Sequence, residues 1–191
     1  MPLTKMIFRQ SCLDKIKSSS KHNLLYKNAT IEKKLFKELK KLNHKKILFY
    51  LSLDFEANTA KAIKILRKKC DIFVPFMQGE SFKMVPFRFP LKKKKFGIYE
   101  AGNSLRDIKK IDIAIVPVVG VDANLQRVGF GKGMYDRFFA KLKKRPYIIF
   151  LQLEFCYTKE SICDNYDIDC DVIITPRIRV QKKYRYKEEI K

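Results

Sequence analysis

A glycine-rich stretch in the middle of the chain limits its possible folds more than any other feature. Gly129, Gly131 and Gly133 alternate there with larger residues, and they are three of only 7 glycines in the chain. The apolar run at residues 111–117 precedes them, and residues 134–142 follow directly. This order predicts a buried strand, a loop, a tight glycine turn and then a helix.

Alternating glycines suit a backbone that must approach an anion closely. They remove the Cβ atoms that would block a ligand, and they permit positive φ. Successive N–H groups can then converge on a phosphate, and Arg127 and Lys132 add positive charge. The spacing matches neither the P-loop nor the dinucleotide-binding fingerprint. A phosphate cradle and a merely tight strand–helix turn therefore remain alternatives.

The whole stretch resembles the signature of the 5-formyltetrahydrofolate cyclo-ligases, also called methenyltetrahydrofolate synthetases. In that family a proline-glycine segment leads to an aspartate and then to Arg-Leu-Gly-Tyr-Gly-Gly-Gly-Tyr-Tyr-Asp-Arg. Here Pro117 and Asp122 precede Arg-Val-Gly-Phe-Gly-Lys-Gly-Met-Tyr-Asp-Arg at residues 127–137. Departures from the family pattern include Val118, Val121, Lys132 and Met134.

The resemblance implies a reaction and its cofactors. Such an enzyme uses ATP and Mg²⁺ to convert 5-formyltetrahydrofolate into 5,10-methenyltetrahydrofolate, with release of ADP and phosphate.

The predicted fold follows independently from the pattern of the chain. Segments of helical pattern alternate with short buried runs, such as residues 47–53, which predicts an α/β protein with a largely parallel sheet. We therefore expect a layered sandwich around a largely parallel mixed sheet, resembling the NagB/RpiA/CoA-transferase-like fold.

The resemblance also assigns residues to the nucleotide and the metal. Catalytic roles fall to Arg127 and Asp136, and Mg²⁺ would be held by Asp136 and Asp167. Tyr166 stands where the family has histidine. The residues expected to bind ATP are Lys5, Arg9, Arg127, Gly129, Phe130, Gly131, Lys132, Gly133, Met134 and Asp136.

Two of these assignments have a plainer alternative. Lys5 and Arg9 lie one helical turn apart and would share a helix face. Their spacing in so basic a chain favours a solvated surface pair, whereas the resemblance assigns them to the nucleotide phosphates. Asp167 belongs to a group of four aspartates at residues 164–171. Such a group needs a cation or basic side chains to offset its charge, or it forms a solubilising loop.

The expected folate site consists of Glu56, Met84 and Tyr135. Glu56 and Thr59 match a Glu-x-x-Thr pattern of the family, whose glutamate binds the folate. A carboxylate suits the donor edge of a pterin. The alternatives are helix capping around Asn58 and Thr59, with Glu56 near the helix start, and a core position for Met84.

The length, composition and charge of the chain limit its possible domain organisation and partners. The 191 residues are expected to form one domain, 1–191, with a mobile basic tail at 177–191. Hydrophobic residues make up 46% of the chain, which favours a packed globule, and the formal charge is +22. That charge keeps open a basic nucleic-acid-binding module, and the departures from the signature keep open a non-catalytic relative. We expect no specific nucleic-acid partner and a monomer.

The 5 cysteines form no C-x-x-C pair, which argues against a disulfide framework and a zinc site. Residues 1–9 lack the apolar segment of a signal peptide, and no apolar run is long enough to span a bilayer. The sequence therefore predicts a cytoplasmic protein with reduced thiols and no membrane partner.

Overall fold

The computed structural model describes residues 3–42, 44–94, 99–105, 108 and 110–183. These residues contain four helices: α1 (Lys5–Ser20), α2 (Leu24–Leu39), α3 (Ala60–Leu66) and α4 (Met134–Ala140). They also contain eleven strands: β1 (Lys46–Leu48), β2 (Asp71–Gln78), β3 (Ser81–Pro86), β4 (Lys92–Lys93), β5 (Tyr99–Glu100), β6 (Ile113–Pro117), β7 (Gly120–Val121), β8 (Arg127–Val128), β9 (Tyr147–Leu151), β10 (Val172–Ile174) and β11 (Arg179–Gln181).

Seven of the strands form one sheet in the order β11-β10-β9-β6-β1-β2-β3. Its five inner strands are parallel, and β3 and β11 add antiparallel edges. Strands covered on both faces are apolar at consecutive positions rather than alternate ones, and every residue of β6 is buried. The predicted α/β architecture with a largely parallel mixed sheet is confirmed.

Alternate residues of the inner strands pack on opposite faces of the sheet. Ile113 and Ile115 join a core cluster that contains Leu35 of α2. Their neighbour Ala114 joins a second cluster, which contains Phe138 of α4. Because both faces are covered by helices, the fold has three layers, as a sandwich requires.

The apolar run at 47–53 leaves the sheet earlier than its composition suggests. The strand β1 ends at Leu48, although the chain stays buried through Tyr50. The Tyr50 hydroxyl donates to the carbonyl of Ala57 at 2.6 Å, and the Thr59 hydroxyl donates to the carbonyl of Tyr50 at 2.7 Å. These side-chain bonds replace ladder bonds and fold residues 50–59 into a loop at the carboxyl end of β1.

The prediction of a mobile tail is wrong for the first part of residues 177–191. β11 pairs with β10, and Arg179 Nε donates to Glu38 Oε2 of α2 at 2.8 Å. Glu38 is buried, so a strand pairing and a partly buried ion pair both hold this segment. Residues 184–191 lie outside the described part of the chain.

The prediction of five reduced thiols is also wrong. Cys12 of α1 and Cys156 after β9 form a disulfide with their Cα atoms 5.7 Å apart. The two residues are 144 positions apart in sequence, so no local sequence motif predicts their pairing. The free cysteines are Cys70, Cys163 and Cys170.

Within the described residues, no helix is both long enough and apolar enough to cross a membrane.

Candidate functional site

The site lies where the loops after β1 and β6 meet the glycine turn. Arg127 of β8 reaches back to the end of β6, where its Nε donates to the carbonyl of Pro117 at 3.0 Å. Its backbone N–H donates to the carbonyl of Ile168 at 2.7 Å. Arg127 thereby ties the glycine turn to the main sheet and to the loop that carries Asp167. This is the strand-end crevice where ligands of open α/β sheets bind.

The glycines of the turn are needed for two different reasons. Gly131 and Gly133 have φ of 93° and 57°, a region that side chains disfavour. At Gly129 the reason is space, because a Cβ atom there would lie 2.7 Å from the Arg127 guanidinium carbon. The predicted tight turn and its positive φ angles are confirmed.

Helix α1 brings Arg9 onto this turn. Arg9 Nε donates to the carbonyl of Gly129 at 2.7 Å, and a Cβ atom on Gly131 would lie 3.7 Å from the Arg9 guanidinium carbon. On the same helix Phe8 packs so closely on Gly120 that a Cβ atom there would clash at 2.7 Å. Arg9 therefore contacts the glycine turn and is only partly exposed to solvent, and its role in binding ATP stays a prediction.

Lys5 reaches the aspartate loop one helical turn earlier. Its Nζ is hydrogen-bonded to the Asp167 carboxylate and lies 3.4 Å from Asp164 Oδ2. Burial opposes the charge of Lys5, but the bond and the negative charge of Asp167 outweigh it and raise the lysine pKa. Asp167 is buried and also accepts from the Asp164 backbone N–H at 2.7 Å. The negative charge of this loop is thus offset by a basic side chain, which is one of the alternatives that the sequence left open.

Asp136 links the aspartate loop to the glycine turn. Its Oδ1 accepts from the N–H of Ile168 at 3.3 Å, and its Oδ2 lies 3.6 Å from Arg127 Nη1. The two carboxylates predicted to hold a metal, Asp136 and Asp167, are therefore brought to the same loop. In the described part of the chain, no group of three or more His, Cys, Asp or Glu side chains is placed to hold a metal ion.

The chemistry of these two carboxylates is nevertheless compatible with Mg²⁺, which needs few protein ligands. Magnesium prefers oxygen ligands and takes few from the protein, since water and phosphate oxygens complete its shell. Asp136 and Asp167 carry oxygens of this kind, and each lies beside a basic side chain: Lys5 pairs with Asp167, and Arg127 Nη1 lies 3.6 Å from Asp136 Oδ2.

Arg127 places a buried positive charge between the other residues of the site. It is buried, and its guanidinium lies 4.8 Å from the centroid of the Tyr135 ring. It also lies close enough to Glu56 for its positive charge to lower the pKa of that carboxyl. The expected catalytic pair, Arg127 and Asp136, is thus in contact, with both folate candidates Glu56 and Tyr135 beside it.

Glu56 is half-buried at the end of the β1 loop. Its Oε2 accepts from the Leu53 N–H at 2.9 Å. Burial is the largest effect on this carboxyl and raises its pKa to about 7, against the opposing effects of the Leu53 bond and Arg127. Asn58, not Glu56, meets the start of α3, where its Oδ1 accepts from the Ala60 N–H at 2.8 Å.

Tyr135 lies on the first turn of α4, in contact with β3. Its ring packs edge-on to Phe82 with centroids 4.9 Å apart. Burial raises its pKa, and the charge of Arg127 opposes that shift. Met84 is buried in the core cluster that Tyr135 packs against. The structure therefore places Met84 in the core, as the alternative to a folate contact predicts. Met134 is half-buried against the same cluster.

Other residues of the motif have different positions. Lys132 and Phe130 are exposed on the turn, as residues that meet a ligand can be. Asp122 is fully buried, and its carboxylate accepts from the N–H groups of Asn124, Gln126 and Cys163 at 2.9 to 3.3 Å. Asp122 therefore shapes the loop that carries Arg127 and is not available to a ligand.

Sequence reasoning missed one residue of the site. Phe55 lies against Phe130, with ring centroids 5.9 Å apart and the planes at 63°. Its position directly before Glu56 was the only signal in the sequence.

Comparisons of the sequence with known proteins agree on one family. A sequence model described as the 5-formyltetrahydrofolate cyclo-ligase family matches residues 4–176. The chain is 25% identical over 180 residues to the 5-formyltetrahydrofolate cyclo-ligase of Mus musculus, covering 84% of this chain and 85% of that one. It is 27% identical over 138 residues to the protein of that name from Mycoplasma genitalium, covering 70% and 81% of the two chains.

Solved structures show the same fold. The NMR structure of 5,10-methenyltetrahydrofolate synthetase from Aquifex aeolicus superposes with a TM-score of 0.75 at 21% identity, covering 99% of this chain and 100% of that one. The enzyme of that name from Mycoplasma pneumoniae gives a TM-score of 0.69 at 20% identity, with coverages of 91% and 99%. The family match spans nearly the whole chain and includes the site just described, so this protein belongs to the 5-formyltetrahydrofolate cyclo-ligase family of enzymes.

Proposed function

We propose that this protein catalyses the ATP- and Mg²⁺-dependent conversion of 5-formyltetrahydrofolate to 5,10-methenyltetrahydrofolate. The observation that carries the proposal is the position of Arg127, which faces both parts of the site. On one side it contacts Asp136 and the glycine turn, and on the other it lies beside Tyr135 and Glu56. A group so placed can act on a phosphate and a folate together.

The nucleotide is proposed to bind at the glycine turn and α1. Backbone N–H groups of the turn and the side chains of Lys5, Arg9, Arg127 and Lys132 would face its phosphates, because hydrogen bonds with ionised partners are the strong ones. The Arg9 contact with Gly129 and the Lys5 contact with Asp167 support this placement. The remaining proposed contacts are Gly129, Phe130, Gly131, Gly133, Met134 and Asp136.

Asp136 and Asp167 are proposed to hold the metal, and Mg²⁺ would neutralise charge that develops on the phosphates. Asp136 would keep its contact with Arg127, so that the metal ion and the guanidinium hold fixed positions relative to each other.

The folate is proposed to bind over Glu56 and Tyr135. The pterin of 5-formyltetrahydrofolate offers a row of N–H donors, and a carboxylate accepts from two of them at once. The raised pKa of Glu56 supports this role, because burial leaves its charge poorly solvated until donors arrive. Met84 would act through the packing of Tyr135, because it is buried in the adjoining cluster.

The chemistry follows from the need to remove a poor leaving group. The formyl oxygen of the folate attacks the γ-phosphorus of ATP, and the bond from that phosphorus to ADP breaks. The N10 nitrogen then attacks the formyl carbon and loses its proton, and phosphate leaves with the former formyl oxygen. Arg127 would stabilise the charge of the transferred group, which is how phosphoryl-transfer enzymes accelerate the reaction.

Further properties belong to the same proposal. We infer one domain of the NagB/RpiA/CoA-transferase-like type, acting as a monomer in the cytoplasm. The layered sheet with antiparallel edges supports the fold assignment.

A spectrophotometric assay for the methenyl product tests the function. Product should form only when 5-formyltetrahydrofolate, ATP and Mg²⁺ are all present. Arg127→Met should abolish product formation, because Arg127 faces both proposed ligands, whereas Lys15→Met, at an exposed position of α1, should leave it unchanged. A folded wild-type protein that binds both ligands and yields no product would instead identify a non-catalytic relative.

A further inference from the structure

Seven exposed lysines lie along the edge of the sheet opposite the candidate site. Four neighbouring parallel strands, in the sheet order β9-β6-β1-β2, begin at that edge. Lysine pairs precede or open three of these strands, and a single lysine precedes the fourth. We call these seven exposed residues the lysine row. They are Lys143 and Lys144 before β9, Lys110 before β6, Lys45 and Lys46 at the start of β1, and Lys68 and Lys69 before β2.

Backbone hydrogen bonds hold the starts of these strands side by side. The N–H of Asp71 donates to the carbonyl of Lys45 at 2.7 Å, and the N–H of Asp112 donates to the carbonyl of Lys46 at 2.8 Å. The N–H of Tyr147, the first residue of β9, donates to the carbonyl of Asp112 at 2.9 Å. Because neighbouring strands lie about 4.8 Å apart, the four strand starts extend over about 14 Å. The lysine row therefore suits an extended chain of negative charges better than a single anion.

Acidic side chains neutralise little of the charge of the lysine row. The carboxylates nearest to it in sequence are Asp71 and Asp112. Asp112 is engaged with the backbone, since its Oδ2 accepts from the N–H groups of Lys45 and Lys46 at 2.8 and 2.9 Å. Among the described residues, no ion pair joins a lysine of the row to an acidic side chain. At the candidate site, by contrast, basic side chains pair with aspartates.

An aromatic surface adjoins the β2 end of the lysine row. Arg67, directly before Lys68, lies over the rings of Phe87 and Phe89, at 5.4 and 5.5 Å from their centroids. Phe89 is 68% exposed and lines a shallow apolar depression of about 620 Å³, which has room for a flat ring. The other lining residues are Pro90, Leu91 and Tyr99.

We propose that the lysine row and Phe89 form a surface that binds single-stranded RNA without sequence preference. Cations that follow the phosphates and an exposed ring that stacks on a base are the combination by which proteins bind single strands. An anionic membrane would instead favour an amphipathic helix, whereas the lysine row lies on loops and strand starts. In the cytoplasm inferred for this protein, RNA is the abundant single-stranded polyanion.

This binding goes beyond the proposed folate reaction and does not depend on it. The lysine row lies at the amino ends of the parallel strands, and the candidate site lies at their carboxyl ends. Bound RNA would therefore leave the candidate site open.

Fluorescence anisotropy with labelled oligouridine of about 20 nucleotides, longer than a typical single-strand site, tests the surface. The row variant and a control variant lose the same charge, so that net charge is matched. The row variant combines Lys45→Gln, Lys46→Gln, Lys68→Gln and Lys69→Gln. The control variant combines Lys15→Gln, Lys17→Gln, Lys21→Gln and Lys33→Gln, at exposed positions of α1, α2 and the turn between them.

A second matched pair tests the ring. Phe89→Ala removes the aromatic ring beside the lysine row, and Tyr26→Ala removes a ring of α2 that is 72% exposed. Unchanged circular dichroism shows that each variant is folded.

We expect the row variant to lose RNA affinity by about tenfold or more at about 0.1 M salt, and the control variant to stay within about threefold of wild type. Exposed charges act over only about 10 Å at that salt concentration. Each phosphate contact contributes about −0.7 to the slope of log affinity against log salt, so the slope of the row variant should be shallower by about 2–3. Phe89→Ala should weaken binding by about fivefold or more with the slope unchanged, because a stacked base is lost. Tyr26→Ala should bind as the wild type does.

Four results would overturn the proposal. The first is a wild-type protein that does not bind the oligouridine at low salt. Equal losses in the row and control variants are the second, because RNA would then respond only to net charge. Wild-type affinity in Phe89→Ala is the third. The fourth is tighter binding to vesicles of phosphatidylserine and phosphatidylcholine than to RNA, with the same dependence on the lysine row, which would assign the surface to a membrane.

Discussion

Arg9 Nε donates a hydrogen bond to the carbonyl oxygen of Gly129 at 2.7 Å, across 120 residues of chain. This bond joins the first helix to the turn on which the proposed nucleotide site is built. The same helix is held by the Cys12–Cys156 disulfide one turn further on, and by the Lys5–Asp167 pair one turn earlier. These three contacts therefore fix the position of α1 along one side of the site.

The substitution Arg9→Met should weaken nucleotide binding. It removes the bond to Gly129 and one charge facing the phosphates, a loss of about 1.5–3 kcal/mol for a hydrogen bond of a charged group. Calorimetric titration with a non-hydrolysable ATP analogue and Mg²⁺ measures the effect. Lys15→Met, at an exposed position of the same helix, is the control. Equal affinities in the two variants would remove Arg9 from the nucleotide site.

The substitution Gly129→Ala should displace Arg127. The new methyl group would lie 2.7 Å from the Arg127 guanidinium carbon, so the guanidinium must leave its position over Tyr135 and beside Asp136. We expect methenyl-product formation to fall by more than about tenfold, because an oriented charge is lost from the transition state. Gly102→Ala serves as control, since a methyl group added there would have no neighbouring atom within 4 Å among the described residues. Activity in Gly129→Ala equal to that of the control would contradict the role of Arg127.

Folate affinity should depend on the ionisation of Glu56. Its raised pKa of about 7 leaves the carboxyl largely protonated below neutral pH, where it accepts poorly from the donor edge of the pterin. Affinity should therefore rise with pH between about pH 6 and pH 8. The neighbouring Tyr50 and Tyr135 stay neutral in this range, since burial raises the pKa of both tyrosines.

Glu56→Gln should flatten this pH profile and cost about 2–4 kcal/mol of folate binding, because one end of the amide donates where an acceptor is needed. ATP affinity should stay near that of the wild type. The exposed Glu80→Gln is the control, and fluorescence or calorimetric titration across the pH range is the measurement. If Glu56→Gln weakened ATP binding and spared folate, the assignment of the two ligand sites would be wrong.

The Cys12–Cys156 disulfide should contribute to stability. It closes a long loop of 144 residues, and removal of such a bond typically costs about 2–5 kcal/mol. Urea unfolding of Cys12→Ser should show this loss, while Cys70→Ser, at a half-buried free thiol, should show much less. Thiol titration of the unfolded protein checks the bond itself. Three thiols without reductant and five with it are expected, and five in both cases would contradict the bond.

The sequence predicted those parts of the site that local chemistry determines. Positive φ at Gly131 and Gly133 follows from glycine at alternate positions, and the buried strand β6 follows from its uninterrupted apolar residues. The resemblance to a family added Glu56 and Asp167, which spacing alone could not assign.

What the sequence could not predict depends on contacts between distant segments. The Cys12–Cys156 pair and the Phe55–Phe130 pair each join two segments whose approach is set by the sheet order. The basic composition of residues 177–191 predicts a solvated tail, but β11 pairs with β10 and Glu38 of α2 supplies a buried partner for Arg179. Pairing partners of this kind become visible only in the folded chain.

The central claim is that ATP activates the folate by phosphorylation of its formyl oxygen, and an oxygen-labelling experiment tests it most directly. The enzyme is given 5-formyltetrahydrofolate labelled with ¹⁸O in the formyl group, together with ATP and Mg²⁺, and the released phosphate is analysed by mass spectrometry. The account predicts one labelled oxygen in each phosphate released, in equal amount to the methenyl product, and neither product without ATP. Unlabelled phosphate beside the methenyl product, or the methenyl product without ATP, would contradict it.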